Sequence, residues 1–206
     1  MKFEVWEPYY RDILEYFGLD QAQDEEAARL LATLMTRDNI QSLTDLAFGN
    51  DITVFGNAPC LKDELEKIRD VIFAADAAAE VLYENGIVPD AVFTDLDGAT
   101  DQLLDLNESG TVVVIHAHGD NMSLLRYWVP RFKGPVVATT QSAPIKNVYN
   151  FGGFSDGDRA VFAADELGAA HIAIIGFDLD DTNVDPMKRG KLFWARKLLA
   201  AIGHVC

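Results

Sequence analysis

Six short apolar runs alternate with helical stretches from residue 52 onward, and this alternation is the strongest constraint on the fold. The runs are ITVFG (52–56), VIFAAD (71–76), AVFTD (91–95), TVVVIHA (111–117), PVVATT (135–140) and HIAIIGFD (171–178). Continuous β-branched runs are typical of strands that are buried on both faces of a parallel sheet. Helical candidates lie near 60–69, 77–84, 101–107, 120–129, 158–167 and 187–202. The sequence therefore predicts an α/β fold with an open, mainly parallel sheet and flanking helices.

Residues 1–48 differ in texture from the rest of the chain. Tyr9, Ile13 and Phe17, and then Ala27 and Leu31, recur at helical spacing. We predict a small N-terminal helical appendage over residues 1–48, without evident chemistry, and an α/β catalytic domain over residues 49–206. The appendage could serve to form a homodimer.

Charge and composition exclude some partners. The formal net charge of −16 argues against nucleic acid, because binding a polyphosphate strand needs a basic stripe. A nucleoside triphosphate is not excluded, since divalent cations can lie between it and an acidic site. No stretch reaches the roughly 18 uninterrupted apolar residues of a membrane helix, and the N-terminus lacks the features of a signal peptide. With Cys60 and Cys206 expected to be free thiols, the sequence predicts a cytoplasmic protein with no membrane partner.

Polar residues follow nearly every predicted strand. In an open parallel sheet, ligands bind beyond the carboxyl ends of the strands. The residues expected at that edge are Asp76, Asp95, Asp97, His116, His118, Asp120, Asn121, Thr139, Gln141 and Asp178. Any one of them could be a helix N-cap, but carboxylates that crowd together repel one another unless cations bridge them. Oxygen ligands favour Mg²⁺ over zinc, whereas the two histidines could orient a substrate or be purely structural.

Two glycine-containing segments suit the approach of a phosphate group. Gly56-Asn57 follows the first predicted strand and precedes a helix, although it matches neither the GxGxxG nor the P-loop pattern. The segment FGGFSDGDRA (151–160) precedes another predicted helix. The basic candidates near the acidic edge are Arg159, Lys188 and Lys191.

The stretch VFTDLDGAT (92–100) raises a covalent alternative. It resembles the first motif of haloacid dehalogenase phosphatases, in which Asp95 would be the nucleophile and Asp97 the acid/base. Those enzymes also need a downstream acidic motif, which GDRAVF (157–162) does not match. Their first motif normally opens the sheet, whereas two predicted strands precede it here. A metal clamp is therefore the favoured interpretation of this pair.

A more specific resemblance emerges when the motifs are taken in order over about residues 50–200. The motifs VFGNAPCL, AADAAAEVLYENGIVPDAVFTDLDG, HAHGDN, NFGGFSDGDRAVFAADELGA and IIGFDLD resemble the archaeal-type 6-hydroxymethyl-7,8-dihydropterin pyrophosphokinase family. That family is related to thiamin pyrophosphokinases, whose GDFDS-type motif corresponds to TDLDG. The chain has no C-terminal β-rich stretch to build a thiamin-binding domain, which makes thiamin the less favoured acceptor. Related sequences include glycosyltransferases with a GNGPSL-like turn.

The resemblance implies that ATP gives its β,γ-diphosphate to the hydroxymethyl group of a reduced pterin and releases AMP. It implies catalytic roles for Asp95, Asp97, Asp120 and Arg159. The expected Mg²⁺ ligands are Asp95, Asp97 and Asp120, with Asp76 as an alternative to Asp120. ATP contacts are expected from Gly56, Asn57, Asp76, Gly152, Gly153, Asp156, Asp158 and Lys191. Pterin contacts are expected from His118, Asn121, Gln141 and Asn147. A metal-dependent nucleotide-sugar glycosyltransferase and a non-catalytic nucleotide-binding protein remain as alternatives.

Overall fold

The computed structural model describes residues 1–65, 68 and 71–204, and its centre is a seven-stranded sheet. The strands are β1 (Asp51–Phe55), β2 (Val71–Ala75), β3 (Ala91–Thr94), β4 (Val112–Ala117), β5 (Val136–Thr140), β6 (Val148–Tyr149) and β7 (His171–Ile175). Their order across the sheet is β6-β5-β4-β3-β2-β1-β7, and every pairing between them is parallel. The predicted α/β fold is confirmed.

Four predicted strands, including those at 91–95 and 171–178, end before their apolar runs do, and one strand was missed. The run AVFTD stops at Thr94 because Leu96 takes a left-handed backbone, with φ at 71°. The run HIAIIGFD stops at Ile175, before Gly176 with φ at 69°. Strand β6 has two residues, too few to give a periodic signal.

The described helices flank the sheet on both faces. They are α1 (Phe3–Phe17), α2 (Gln21–Leu34), α3 (Ile40–Ala47), α4 (Leu61–Glu64), α5 (Ala78–Glu84), α6 (Asp101–Glu108), α7 (Met122–Trp128), α8 (Asp156–Glu166) and α9 (Pro186–Ala201). Helix α4 occupies the first part of the helix predicted over 60–69, whose positions 66, 67 and 69 lie outside the described residues, as does Cys206. Cys60 is a free thiol, and no helix in the described ranges is long and apolar enough to cross a membrane.

The first three helices belong to the same packing as the sheet. Trp6 and Tyr10 of α1 lie in one core cluster together with Phe162 of α8, and both are at most 1% exposed. Leu31 of α2 lies in the cluster on the other face, with Leu125 of α7. Helices α1 and α2 therefore cover opposite faces of the sheet. The division of the chain at residue 48 and a dimeric role for these helices stay predictions.

Candidate functional site

Three carboxylates meet at the carboxyl edge of the sheet. Asp76 follows β2, Asp95 follows β3 and Asp156 begins α8, and one oxygen from each lies within 4.8 Å of the others. Parallel strands place their carboxyl ends along one edge, and α8 packs against β1, β2 and β3 so that its first residue reaches that edge. This set, called here the carboxylate cluster, has the oxygen ligands that suit a hard divalent cation. It shares Asp95 with the predicted ligand set, and also Asp76 if Asp76 takes the place of Asp120 as the third ligand.

The three carboxyl groups have different proton affinities. Burial raises the pKa of Asp156 to about 7, and the charges of Asp95 and Asp76 add to this rise against the opposing effect of Arg159. Burial also raises the pKa of Asp76. Burial acts in the same direction on Asp95, but its bonds with His118 and the Asp97 N–H outweigh it and hold the pKa well below its usual range. The cluster therefore keeps one firm negative charge at Asp95 beside groups that retain protons more readily.

Local backbone geometry holds Asp76 and Asp95 in place. Asp76 has a left-handed backbone, with φ at 44°, which a non-glycine residue adopts only when its surroundings enforce it. Its N–H donates to the Phe93 carbonyl, and the Thr94 hydroxyl donates to its Oδ1 at 2.9 Å. The same hydroxyl oxygen accepts the Leu96 N–H at 2.8 Å. Thr94 thus couples the two turns that carry Asp76 and Asp95.

Two pockets, each of about 300 Å³, adjoin at Ser155 and Asp156. The N-terminal pocket is lined by residues of α1, α2, the β3 and β4 ends, the start of α8 and α9, including Phe17, Asp24, Asp95, His118, Asp120, Gln141, Phe154, Arg159 and Lys191. The glycine-turn pocket is lined by the β1, β2 and β7 ends together with α9, including Gly56, Asn57, Pro59, Asp76, Gly176, Phe177, Asp178 and Lys188. The carboxylate cluster contributes residues to both pockets and so lies between them.

The structure distributes the predicted site residues between these pockets. Of the predicted catalytic residues, Asp95, Asp120 and Arg159 line the N-terminal pocket, whereas Asp97 is exposed and lines neither pocket. Its backbone N–H donates to Asp95 Oδ1 at 2.9 Å. Lys191, predicted to contact ATP, lies in the N-terminal pocket, and Lys188 lies in the other.

Of the predicted pterin contacts, His118 and Gln141 line the N-terminal pocket, whereas Asn121 and Asn147 line neither pocket. Asn121 is buried and its amide donates to the carbonyls of Asp95 and His116, at 2.8 and 2.7 Å. It fixes the turn that carries Asp95. Asn147 lies in the turn between Ile145 and Val148.

Gly152, Gly153 and Asp158 in the segment 151–160 make packing contacts or hydrogen bonds within the protein itself. A Cβ at Gly152 would lie 2.6 Å from the Phe162 ring, and one at Gly153 would lie 2.7 Å from the Arg159 backbone nitrogen. Both glycines have positive φ, so this close approach serves packing against α8. Asp158 is fully buried and accepts bonds from the N–H groups of Phe154 and Ser155, both at 2.7 Å, and from the Ser155 hydroxyl. It completes the capping box of α8.

The turn at Gly56 is built by close contact with β7. The Gly56 N–H donates to the Ile175 carbonyl at 2.8 Å, so the backbone donor predicted for phosphate at this position is already used. A Cβ at Gly56 would lie 2.7 Å from both the Gly176 carbonyl oxygen and the Phe177 ring. Asn57 next to it is exposed in the glycine-turn pocket.

Sequence reasoning did not single out the residues that the N-terminal helices contribute to the site. Asp24 of α2 is 3% exposed and lines the N-terminal pocket, as does Phe17 of α1. A signal was present: Asp24 shares the buried face of α2 with Ala27, Ala28 and Leu31, at helical spacing. A carboxylate on an apolar helix face needs a partner or a function.

His116 and Arg159 are two further buried groups near the cluster. His116 Nδ1 lies 3.1 Å from the Thr139 hydroxyl, and burial together with the charge of Arg159 holds its pKa well below the usual range. Arg159 Nη1 donates to Asp156 Oδ1 at 3.1 Å. Neutral His116 therefore leaves Arg159 as the positive charge that faces the carboxylate cluster from α8.

Comparison with known proteins identifies the family. Residues 25–184 match the family model described as "6-hydroxymethylpterin diphosphokinase MptE-like". Proteins named 6-hydroxymethyl-7,8-dihydropterin pyrophosphokinase are similar over most of their length. The protein from Methanothermobacter thermautotrophicus is 36% identical over 97% of this chain and 94% of its own. The protein from Pyrococcus furiosus is 41% identical over 97% and 93%, and that from Methanocaldococcus jannaschii 34% identical over 86% and 80%.

Among solved structures, the MAf glycosyltransferase from Magnetospirillum magneticum AMB-1 aligns with a TM-score of 0.47 and 18% identity. It covers 78% of this chain and 29% of its own, a similarity too distant to bear on function. The family match extends from within α2 to beyond β7 and includes the whole carboxylate cluster. The resemblance inferred from the motifs is thus confirmed, and the chain belongs to the MptE-like family of 6-hydroxymethylpterin diphosphokinases.

Proposed function

We propose that this chain transfers the β,γ-diphosphate of ATP to the hydroxymethyl group of 6-hydroxymethyl-7,8-dihydropterin and releases AMP. The reaction would serve the biosynthesis of tetrahydromethanopterin or folate-type pterins. The names of the relatives support the reaction. The observation that carries it here is the carboxylate cluster between two pockets, because a transfer between two bound substrates needs a charge-neutralising centre at their junction.

The carboxylate cluster fits Mg²⁺. Its donors are all oxygens. Burial first, and neighbouring carboxylate charges second, raise the pKa values of Asp76 and Asp156, and a bound cation would offset both effects. The ion would be held by Asp76, Asp95 and Asp156. The ligand set expected from sequence differs from this one in using Asp97 and Asp120. When bound, Mg²⁺ would neutralise charge on the phosphate groups.

The glycine-turn pocket is the proposed site of the nucleotide. Lys188 supplies a cation and Asn57 a side-chain donor, and α8 directs its N-terminus to the boundary between the pockets. Arg159 would neutralise charge on the transferring group, for which its planar guanidinium is suited. Packing of the Phe177 ring against Gly56 and Gly157 shapes this pocket.

The N-terminal pocket is the proposed site of the pterin. Phe17 and Phe154 both line it, with ring centroids 5.0 Å apart, and offer apolar surface to a flat heterocycle. The hydroxymethyl oxygen would attack the β-phosphorus in line, forming an O–P bond while the bond to the oxygen of AMP breaks. Asp120, exposed in the same pocket, is our proposed acceptor of the hydroxyl proton.

The direct test is to incubate the protein with ATP, Mg²⁺ and 6-hydroxymethyl-7,8-dihydropterin and to quantify AMP and the diphosphate ester. We expect equal amounts of both products. Thiamin and sugar acceptors in parallel reactions should give little or no AMP. Faster AMP release with thiamin would overturn the acceptor, activity only with a sugar nucleotide would favour a glycosyltransferase, and ATP binding without AMP release would favour a non-catalytic protein.

A further inference from the structure

Asp24 of α2 links the N-terminal helices, by hydrogen bonds, to residues that line the N-terminal pocket. It accepts the Gly119 N–H on Oδ1 at 2.9 Å, and the Tyr10 hydroxyl and the Gln141 amide on Oδ2, both at 2.7 Å. The bond to Gly119 joins α2 to the turn that follows β4. Both Asp24 and Gln141 are 3% exposed, and both line the pocket.

The chemistry of this contact fixes the orientation of the Gln141 amide. An ionised carboxylate only accepts hydrogen bonds, so the amide nitrogen of Gln141 must face Asp24. The amide oxygen, Oε1, consequently has no partner among the described residues, although it is buried. A buried acceptor without a donor is costly unless a ligand supplies one.

Two acceptor positions therefore remain on two hydrogen-bonded side chains that both line the pocket. A carboxylate offers about four acceptor sites, and Asp24 uses one on Oδ1 and two on Oδ2. One site is left on Asp24 Oδ1, and Gln141, whose amide donates to Asp24 Oδ2, has a second free acceptor on Oε1. No basic side chain contacts this pair within the described hydrogen bonds, so a ligand that supplies neutral N–H donors would complete it.

We propose that Asp24 and Gln141 bind the 2-amino-4-oxo edge of the pterin and determine specificity for it. That edge presents two adjacent donors, the ring N3–H and the 2-amino group, which match the two free acceptor positions. Phe17 and Phe154 supply surface for the ring. This assignment deepens the proposed function and rests on it, and it gives the N-terminal helices a role in substrate selection.

The test compares binding of 6-hydroxymethyl-7,8-dihydropterin with that of the analogue in which oxygen replaces the 2-amino group, by calorimetry without ATP. We expect the wild-type protein to prefer the pterin by on the order of 10- to 100-fold. Asp24→Asn should bring this ratio close to one, because the new amide can present a donor to the amino group. Tyr10→Phe is the matched control: it removes a bond to the same carboxylate, and Tyr10 does not line the pocket. It should keep the wild-type ratio.

Gln141→Leu tests the same edge if Asp24→Asn does not fold. It removes the acceptor for the ring N3–H, which both ligands carry, so it should weaken binding of both by a similar factor of about tenfold. An unchanged ratio in folded Asp24→Asn, or unchanged affinities in folded Gln141→Leu, would overturn the assignment. ATP turnover, measured separately, distinguishes the two proposals. A wild-type protein that prefers the pterin but releases no AMP would refute the diphosphate transfer and leave the edge assignment standing. AMP release with an unchanged ratio in Asp24→Asn would do the reverse.

Discussion

Arg159 Nη1 donates a hydrogen bond to Asp156 Oδ1 at 3.1 Å, and both side chains are largely buried. The two residues lie one helical turn apart at the start of α8, so the helix itself fixes their contact. The guanidinium therefore stands beside the carboxylate cluster before any substrate binds. Its Nε has no partner among the described residues, which leaves a donor for a further contact.

We predict that Arg159→Lys lowers kcat by about 10²-fold, because lysine keeps the charge but loses the planar pair of donors. Steady-state kinetics with ATP and the pterin would measure the effect. Arg196→Lys is the control, since Arg196 pairs with exposed Asp180 on the surface. Equal rates for both variants would remove Arg159 from the reaction.

The carboxylates can be ranked by substitution. We predict that Asp76→Asn, Asp95→Asn and Asp156→Asn each lower kcat/KM by on the order of 10²–10³-fold, since each removes a charge that would hold the cation. Asp97→Asn should cost less, because the described bond of Asp97 is made by its backbone N–H, which the substitution keeps.

The comparison requires folded variants, which thermal unfolding would check. If Asp97→Asn is as damaging as Asp95→Asn, the cation is held by the pair of aspartates in TDLDG, as the sequence alone suggested. Trapping of a phospho-aspartyl intermediate at Asp95 would instead support covalent chemistry.

Cation binding should depend on pH. With the pKa of Asp156 raised to about 7, this group is mostly protonated below pH 7 in the metal-free folded protein, and a cation must displace that proton. We predict that apparent Mg²⁺ affinity rises up to about tenfold per pH unit from pH 6 to 7 and levels off above it. The rise in unfolding temperature on adding Mg²⁺, measured at several pH values, would show this.

The raised pKa of Asp156 also affects the stability of the metal-free protein, which falls as pH rises, whereas Mg²⁺ affinity increases. Because its folded-state pKa lies above the ordinary value of 3.8, the folded state binds more protons between about pH 4 and 7. This site therefore lowers the stability of the metal-free protein as pH rises through that window.

The Asp156→Asn variant tests the prediction for Mg²⁺. The pH dependence of Mg²⁺ affinity between pH 6 and 7 should flatten in this variant, and an unchanged pH dependence would assign it to another group.

Substitution of two lysines on α9 should raise the KM of different substrates. Lys188 lines the glycine-turn pocket and Lys191, one turn further, lines the N-terminal pocket. We predict that Lys188→Ala raises the KM for ATP about tenfold with little effect on that for the pterin, and that Lys191→Ala mainly affects the pterin side. Measurement of both KM values for both variants would check this. A larger ATP effect for Lys191→Ala would support its predicted role as an ATP contact.

Asp156 and Asp158 are close in sequence, but their substitutions should have different results. Asp158→Ala leaves the Phe154 and Ser155 N–H groups without their acceptor, so we predict a loss of about 1–3 kcal/mol in the free energy of unfolding. Asp156→Ala should affect activity more than stability. Denaturant unfolding and AMP release on both variants would separate the roles. Loss of activity in a fully stable Asp158→Ala protein would assign Asp158 to the site.

The sequence by itself determined the layered α/β architecture and the edge at which the site lies. Continuous β-branched apolar runs such as that at 111–117 are typical of strands covered on both faces, and parallel strands bring the residues that follow them together. For that reason Asp95 and His118 could be placed at the same edge before the fold was known, and His118 Nε2 lies 3.4 Å from Asp95 Oδ2. The order of the motifs also sufficed to indicate the family.

Only the tertiary structure decided which carboxylates meet. Strand β3 ends at Thr94, and Leu96 then takes a positive φ. As a result Asp97 is exposed while Asp95 lies in the carboxylate cluster. Alternation along a strand would instead place residues 95 and 97 on the same face. The structure also brought Asp24 to Gln141, residues far apart in sequence, through packing of α1 and α2 on opposite faces of the sheet. Local patterns determine which elements form, whereas such contacts depend on how those elements pack across the whole chain.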